Sequence, residues 1–186
     1  FPVAFSTAGG DTVAALAAGC SVVFKAHSGH MATAELVAQA IEKAIEICNM
    51  PRGIFNMIFG ARVGANLVEH PLIQAAGFTG SLEGGMALFR LAQNRTQPIP
   101  FFAEMSSVNP VVVLPDALNA RAEKIAQDTV ASFNMGCGQF CTKPGLIIGI
   151  KSVEFDRFVE ALIDSTRSAA PQVMLNRGTL KSYHQG

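Results

Sequence analysis

Ser21-Val22-Val23-Phe24-Lys25, then the run from Met31 to Cys48, then Ile54-Phe55-Asn56-Met57-Ile58-Phe59 make one full period of this chain. The two flanking runs are short, apolar, and rich in β-branched and aromatic residues, as buried strands are. The middle run sets Val37, Ile41, Ala44, Ile45 and Cys48 at three- and four-residue spacing, which predicts an amphipathic helix. Pro51-Arg52-Gly53 stops that helix. Two strands joined through a helix in this way pair in parallel.

The alternation continues on both sides. Asp11 is expected to cap a short helix through Ala18, ended by Gly19. A short helix near Val63–Glu69 follows Gly60, and Pro71 breaks it. Ala75–Phe78 reads as a third strand, followed by a glycine-rich turn and a helix from about Glu83 to Ala92. Pro100–Glu104 and Val111–Leu114 read as strands. Ala120–Phe133 reads as a helix with Ile125, Ala126, Val130 and Phe133 on one face. Gly145–Ile150 is then a strand, and Val153–Ser168 a helix carrying Phe155, Phe158, Val159 and Leu162 on one side. No pattern is legible from Ala169 onward. The fold class is α/β: the first four strands form one buried, largely parallel series, and a second series begins after Glu104. Ser106-Ser107 and Asn109-Pro110 place the boundary near Glu104–Pro110.

Composition narrows the function. Of 186 residues 49% are apolar and 15% charged, with 14 basic and 14 acidic side chains. A neutral chain gives no electrostatic reason to expect nucleic acid. The longest charge-free apolar run, between Asp11 and Lys25, is too short for a membrane-spanning helix, so no membrane partner is expected. Four cysteines are too few for a disulfide framework, and Cys20 and Cys48, in apolar surroundings, are expected in the core. Phe1-Pro2 is an abrupt start, and the low charge leaves apolar surface to be covered, so the chain reads as a piece of a longer protein.

Three stretches carry chemistry. In Phe133-Asn134-Met135-Gly136-Cys137-Gly138-Gln139-Phe140-Cys141-Thr142 a helix ends, two glycines turn the chain, and a cysteine follows just before a strand. A cysteine on such a turn, beside free backbone N–H groups, is a nucleophile candidate; buried thiols in a glycine-rich turn are the plainer reading. The Cys137–Cys141 spacing lacks the further ligands zinc needs, so no metal is expected. Phe78-Thr79-Gly80-Ser81-Leu82-Glu83-Gly84-Gly85 is a strand, a turn and a helix start, which offers free N–H groups and a hydroxyl to a phosphate. Gly60-x-x-x-Gly64 after another strand is a weaker version. Glu104 is a lone carboxylate at a strand end with apolar neighbours, a setting that suits a base; an ordinary edge carboxylate is the alternative.

Taken in order, Phe1-Pro2, Val22-Val23-Phe24-Lys25, Phe78-Thr79-Gly80-Ser81, Glu104 with Asn109-Pro110, and Gly138-Gln139-Phe140-Cys141 resemble the aldehyde dehydrogenase superfamily. Ala8-Gly9-Gly10-Asp11-Thr12 and Lys25-Ala26-His27 are most similar to its NADP-accepting bacterial branch, which includes 2,5-dioxovalerate (α-ketoglutaric semialdehyde) and fatty aldehyde dehydrogenases. The resemblance implies an incomplete Rossmann-like NAD(P)-binding domain over residues 1–104, followed by the start of an α/β catalytic domain over 105–186.

It makes Cys141 the nucleophile, Glu104 the base for hydrolysis, Lys25 the adenosine-ribose ligand and Ser81 the pyrophosphate ligand. Phe78, Thr79, Gly80 and Gly85 surround the helix start, and Gly60 and Gly64 join the cofactor set. Ser28 stands where NAD-preferring relatives carry a ribose-binding glutamate, so NADP is the expected cofactor and NAD is also accepted; His27 and His30 could add positive character there. Cys137 matches no catalytic position and is expected to be structural, with a disulfide to Cys141 on oxidation left open. The common glycine pair and lysine after the catalytic glutamate are here Ser106-Ser107-Val108. The oxyanion-hole asparagine of the family falls just before Phe1, and losing such a donor costs about 10²–10³ in rate. The resemblance implies oxidation of a small-molecule aldehyde, a semialdehyde such as 2,5-dioxovalerate first and a fatty aldehyde second, to a carboxylic acid through a cysteine thiohemiacetal and thioester. It implies a cytoplasmic homo-oligomer, dimer or tetramer, for the longer protein and, as the alternative, a truncated non-catalytic homologue that binds only nucleotide or a partner chain.

Overall fold

The computed structural model describes residues 7–185, so Phe1-Pro2 lies outside the described residues. The chain divides into two compact units, residues 1–105 and 106–186.

In the first unit the order is α1 (Gly10–Ala17), β1 (Val22–Lys25), α2 (Met31–Ile47), β2 (Phe55–Ile58), α3 (Val63–Glu69), β3 (Ala76–Gly80), α4 (Leu82–Gln93) and β4 (Phe101–Met105). β1 and β2 pair in parallel from Val22 opposite Phe55 to Lys25 opposite Ile58. β3 and β4 pair in parallel from Ala76 opposite Phe101 to Gly80 opposite Met105. Parallel strands follow from the sequence period, but the four do not form one series. Among the described residues each strand pairs only with the partner that its full crossover helix, α2 or α4, brings beside it. A two-stranded pair has little width to cover, so its strands are not fully buried: Phe102 is 69% exposed. One cluster buries Val68, Ala92 and Ile99 beneath Ile73, Ala76, Leu88, Leu91 and Phe101.

Three local expectations change here. α1 is capped by Gly9, with no side-chain bond, and Asp11 lies inside the helix. Its carboxylate faces Gly77 of β3, where an added Cβ would stand 3.3 Å from Oδ2. The buried stripe of α2 is Ala34 and Ala38, with Val37, Ile41 and Ile45 half-buried beside it, while Ala44 and Cys48 are exposed. Cys20 is exposed too, because it follows the Gly19 turn, as Cys48 follows the last turn of α2. Neither thiol belongs to the core.

The second unit runs β5 (Pro110–Val113), α5 (Pro115–Asn134), a 3-10 turn over Met135–Gly138, β6 (Leu146–Gly149), α6 (Val153–Ser168) and α7 (Arg177–Gln185). β5 and β6 pair in parallel, Pro110 opposite Leu146 and Val113 opposite Gly149. α5 starts five residues before the expected Ala120, because Pro115 at its first turn is already in helical geometry and has no N–H to lose. It kinks at Arg121, and the guanidinium of Arg157 on α6 donates to the carbonyls of Leu118 (3.0 Å) and Asn119 (3.4 Å) just before the kink. Val113, Leu118, Ala122, Ala126 and Phe158 form the core, with Val111, Ile147, Phe155 and Leu162 packed on it. Ser152 caps α6, its Oγ accepting from the Phe155 N–H at 3.2 Å. No helix of the described residues is long and apolar enough to cross a membrane.

Candidate active site

The chain reaches Cys141 through two tight turns. Gly136, Cys137 and Gly138 have φ of 58°, 59° and 69°, three consecutive left-handed residues. A side chain at Gly136 would stand 2.5 Å from the Phe140 ring, so glycine is required there twice over. Gln139 N–H donates back to Gly136 O (3.2 Å), and Lys143 N–H to Phe140 O (3.2 Å). Gln139 also donates through Nε2 to Gly136 O at 2.7 Å and accepts from the Leu175 N–H at 3.0 Å. Gln172 Oε1 accepts from the Cys137 N–H at 3.0 Å. The segment after α6 thus straps the turn from outside.

Cys141 emerges from this turn with its side chain in solvent, whereas Cys137 is half-buried. The Cys141 carbonyl oxygen accepts from Asn109 Nδ2 at 2.6 Å and from the Ser107 hydroxyl. Cys141 is legible in the sequence, but its contacts with Ser107 and Asn109 are not; a bond across more than thirty residues leaves no local pattern. A cavity of about 510 Å³ opens beside Cys137, Gln139, Lys143, Met174 and Tyr183, and Cys141 does not line it.

In the first unit the named residues cluster at carboxyl ends of parallel strands, where α/β folds hold ligands. Lys25 ends β1 and is half-buried; Ser28 is exposed three residues on. His27 between them is pushed below its ordinary value near 6.5, first by burial and then by the positive charge of Lys25 and His30. Its Nδ1 accepts from the Gly29 N–H at 3.1 Å, a bond only the neutral imidazole makes. Burial and this bond both favour the neutral imidazole of His27. Gly60 has φ of 136°, and a Cβ there would meet Val63 at 3.0 Å. Gly64 faces open space.

At the end of β3, Thr79 and Gly80 are half-buried, and Ser81 is the N-cap of α4, its Oγ accepting from the Gly84 N–H at 3.2 Å. The Phe78 ring stacks on Phe101 at 6.4 Å and fills the space beside Gly80 and Gly85. Gly85 is buried against Met105, whose sulfur would stand 2.2 Å from a Cβ, so this glycine lets α4 lie close on β4. Glu104 stands opposite Thr79 in β4 and is exposed, so the apolar enclosure expected around it is not formed by the described residues. Glu104 belongs to the first unit and Cys141 to the second. Among the described residues no three His, Cys, Asp or Glu side chains gather as metal ligands would.

The profile of the aldehyde dehydrogenase family matches residues 1–179. The chain belongs to this family. It is 86% identical over its full length to an alpha-ketoglutaric semialdehyde dehydrogenase of Acinetobacter baylyi, covering 35% of that protein. It is 50% identical, again over its full length, to alpha-ketoglutaric semialdehyde dehydrogenase 2 of Azospirillum brasilense, covering 36% of it. Among solved structures, an NAD-dependent aldehyde dehydrogenase of Sinorhizobium meliloti superposes with a TM-score of 0.79 over 94% of this chain and 35% of its own, at 22% identity, a likeness of fold. The chain spans about a third of the length of the curated relatives it matches. Aldehyde dehydrogenases use NAD or NADP. The residues present fit such a group: the Lys25 ammonium ends β1, the Ser28 hydroxyl follows it, and a capped helix N-terminus follows β3.

Proposed function

We propose that the protein carrying these residues oxidises an aldehyde to a carboxylic acid with NADP⁺ at least as well as with NAD⁺, and that its substrate is α-ketoglutaric semialdehyde. One observation carries this reading: 86% identity, unbroken over the whole chain, to a relative named for that activity. Cys141 is the nucleophile. Its thiolate adds to the aldehyde carbon and forms a thiohemiacetal; loss of hydride from that carbon leaves a thioester on the same sulfur. The bound nicotinamide supplies the hydride acceptor. Glu104 takes a proton from water, the hydroxide adds to the thioester carbonyl, and the carboxylic acid leaves as the thiolate is restored.

Lys25 and Ser28 are the ligands of the adenosine ribose. A serine at 28 can donate to a 2′-phosphate that a glutamate would repel, which favours NADP. Ser81 and the first N–H groups of α4 receive the pyrophosphate, and Phe78, Thr79, Gly80 and Gly85 shape the approach, with Gly60 and Gly64 doing so after β2. On this reading residues 1–104 are cofactor-binding and 105–186 catalytic, and the protein works in the cytoplasm as a homo-oligomer.

The test is aldehyde-dependent NADPH formation by the natural protein, with Cys141→Ala as control. The reading requires turnover with α-ketoglutaric semialdehyde that the substitution abolishes. Equal turnover in the Cys141→Ala protein, or none with any aldehyde in the natural one, overturns it.

A further inference from the structure

Ser107 and Asn109 precede β5, and nothing in the proposed reaction uses them. Asn109 is half-buried and holds φ of 48°, a left-handed conformation that asparagine tolerates. Its Nδ2 donates to the Cys141 carbonyl at 2.6 Å and the Lys143 carbonyl at 3.0 Å, and stands 3.3 Å from Ser107 Oγ. Two carbonyls on one amide fix its orientation, since the amide oxygen turned toward them would meet only acceptors. The Ser107 hydroxyl donates to the same Cys141 carbonyl. One residue further on, the Gly145 N–H donates to Val108 O at 2.8 Å, and a Cβ at Gly145 would stand 2.6 Å from that oxygen. The regular pairing of β5 with β6 then begins at Pro110 opposite Leu146. Two side chains thus extend this ladder backward, past its last main-chain bonds, to the residue that carries the thiol.

The consequence is local. The carbonyl carbon of Cys141 is bonded to the Cα that bears Cβ and Sγ. Holding its oxygen from two sides sets ψ at Cys141 and fixes where the Cα–Cβ bond points. The exposed Cys141 side chain has little packing of its own to do this. We propose that Ser107 and Asn109 are positioning residues, a two-donor clamp on the Cys141 carbonyl that holds the thiol in its attacking direction. This rests on the reading of Cys141 as nucleophile. It also gives a purpose to the departure Ser106-Ser107-Val108 from the family's glycine pair and lysine, because a glycine at 107 would bring no hydroxyl.

The experiment uses the natural protein and four variants: Ser107→Ala, Asn109→Gly, the double variant and Cys141→Ala. Asn109→Gly keeps the left-handed backbone free of strain, so what it removes is the donors. Three quantities are read: the pre-steady-state burst of NADPH, KM for NADP⁺, and alkylation of Cys141 by iodoacetamide, followed on its own peptide with exposed Cys20 and Cys48 as references. Misplacing a reacting atom slightly costs up to about 10²-fold, so Asn109→Gly should slow the burst about 10–100-fold and Ser107→Ala less. KM for NADP⁺ should be unchanged, since a residue that acts only on the thiol leaves cofactor binding alone. The double variant should lose less than the product of the two, because both donors hold one oxygen. Alkylation in every variant that retains Cys141 should show the thiol still present and reachable.

Parent-like bursts in Ser107→Ala and Asn109→Gly, with none in Cys141→Ala, would overturn the clamp and leave the nucleophile standing. A rise in KM for NADP⁺ matching the loss of rate would overturn it as well. A burst that survives Cys141→Ala would remove the nucleophile, and the clamp with it. If Asn109→Gly fails to fold, Ser107→Ala decides alone, and an unchanged burst there overturns the proposal.

Discussion

Phe158, Leu118, Ala122 and Ala126 in the second unit are each at most 1% exposed and meet in one cluster between β5, α5 and α6. The first unit has no such centre among the described residues. Its cluster joins Val68 of α3, Ala92 of α4 and Ile99 before β4, while Phe55, Ala34 and Ala38 are buried apart from it. The candidate chemistry is distributed accordingly. Cys141 follows three left-handed residues, of which the one non-glycine, Cys137, costs about 1–3 kcal/mol, and a surrounding frame has to impose it. The second unit supplies that frame through Gln139, Gln172 and Asn109. The first unit offers residues at strand ends and a helix N-terminus, where recognition needs main-chain N–H groups in place more than one fixed side chain. A nucleophile needs a rigid seat; a phosphate needs donors.

Glu104→Gln should lower steady-state turnover about 10²–10⁴-fold, the usual span for removing a general base, and leave the first burst of NADPH intact. A burst lost along with turnover would assign Glu104 to an earlier step. Phe158→Ala empties the centre of the second unit and should cost about 3–5 kcal/mol, read as faster hydrogen exchange in α5 and α6 with α2 unaffected. Equal acceleration in α2 would show that the two units unfold as one.

Ser28→Glu should cut kcat/KM for NADP⁺ relative to NAD⁺ by about tenfold, the worth of one moderate like-charge contact. An unchanged ratio would remove Ser28 from the cofactor set.

The smallest effect belongs to His27. Its folded-state value lies below the ordinary one, so the unfolded chain binds the extra proton first and folding is disfavoured as pH falls. The penalty is absent above about 6.5, grows as pH falls toward the folded-state value, and is constant below it. His27→Gln should flatten the loss of stability across that window in urea titrations, and an unchanged slope would contradict it.

Much of the fold was legible because its elements are strongly periodic. Val153–Ser168 carries Phe155, Phe158, Val159 and Leu162 on one face and a serine cap before it, and the helix has those bounds. Where a polar segment is ordered by caps, the apolar pattern says nothing. Pro115 opens α5 ahead of its stripe, and Asn176 accepts from the Thr179 N–H at 2.8 Å at the start of α7, a helix with no buried residue. Both signals were present as single residues. Cys20 and Cys48 misled because apolar neighbours in sequence are not neighbours in space at a turn. In the candidate site the turn around Cys141 could be read from Gly136 and Gly138. The clamp could not, since Asn109 reaches Cys141 across β5, α5 and the turn.

The thioester that a nucleophilic Cys141 must form can be trapped. Its direct measurement is intact and peptide mass spectrometry of the Glu104→Gln protein, quenched after one turnover with α-ketoglutaric semialdehyde and NADP⁺. One acyl group is expected, carried by the peptide that contains Cys141 and released by hydroxylamine. An acyl group on Cys20, Cys48 or Cys137, or NADPH formed with no acyl protein, would contradict it.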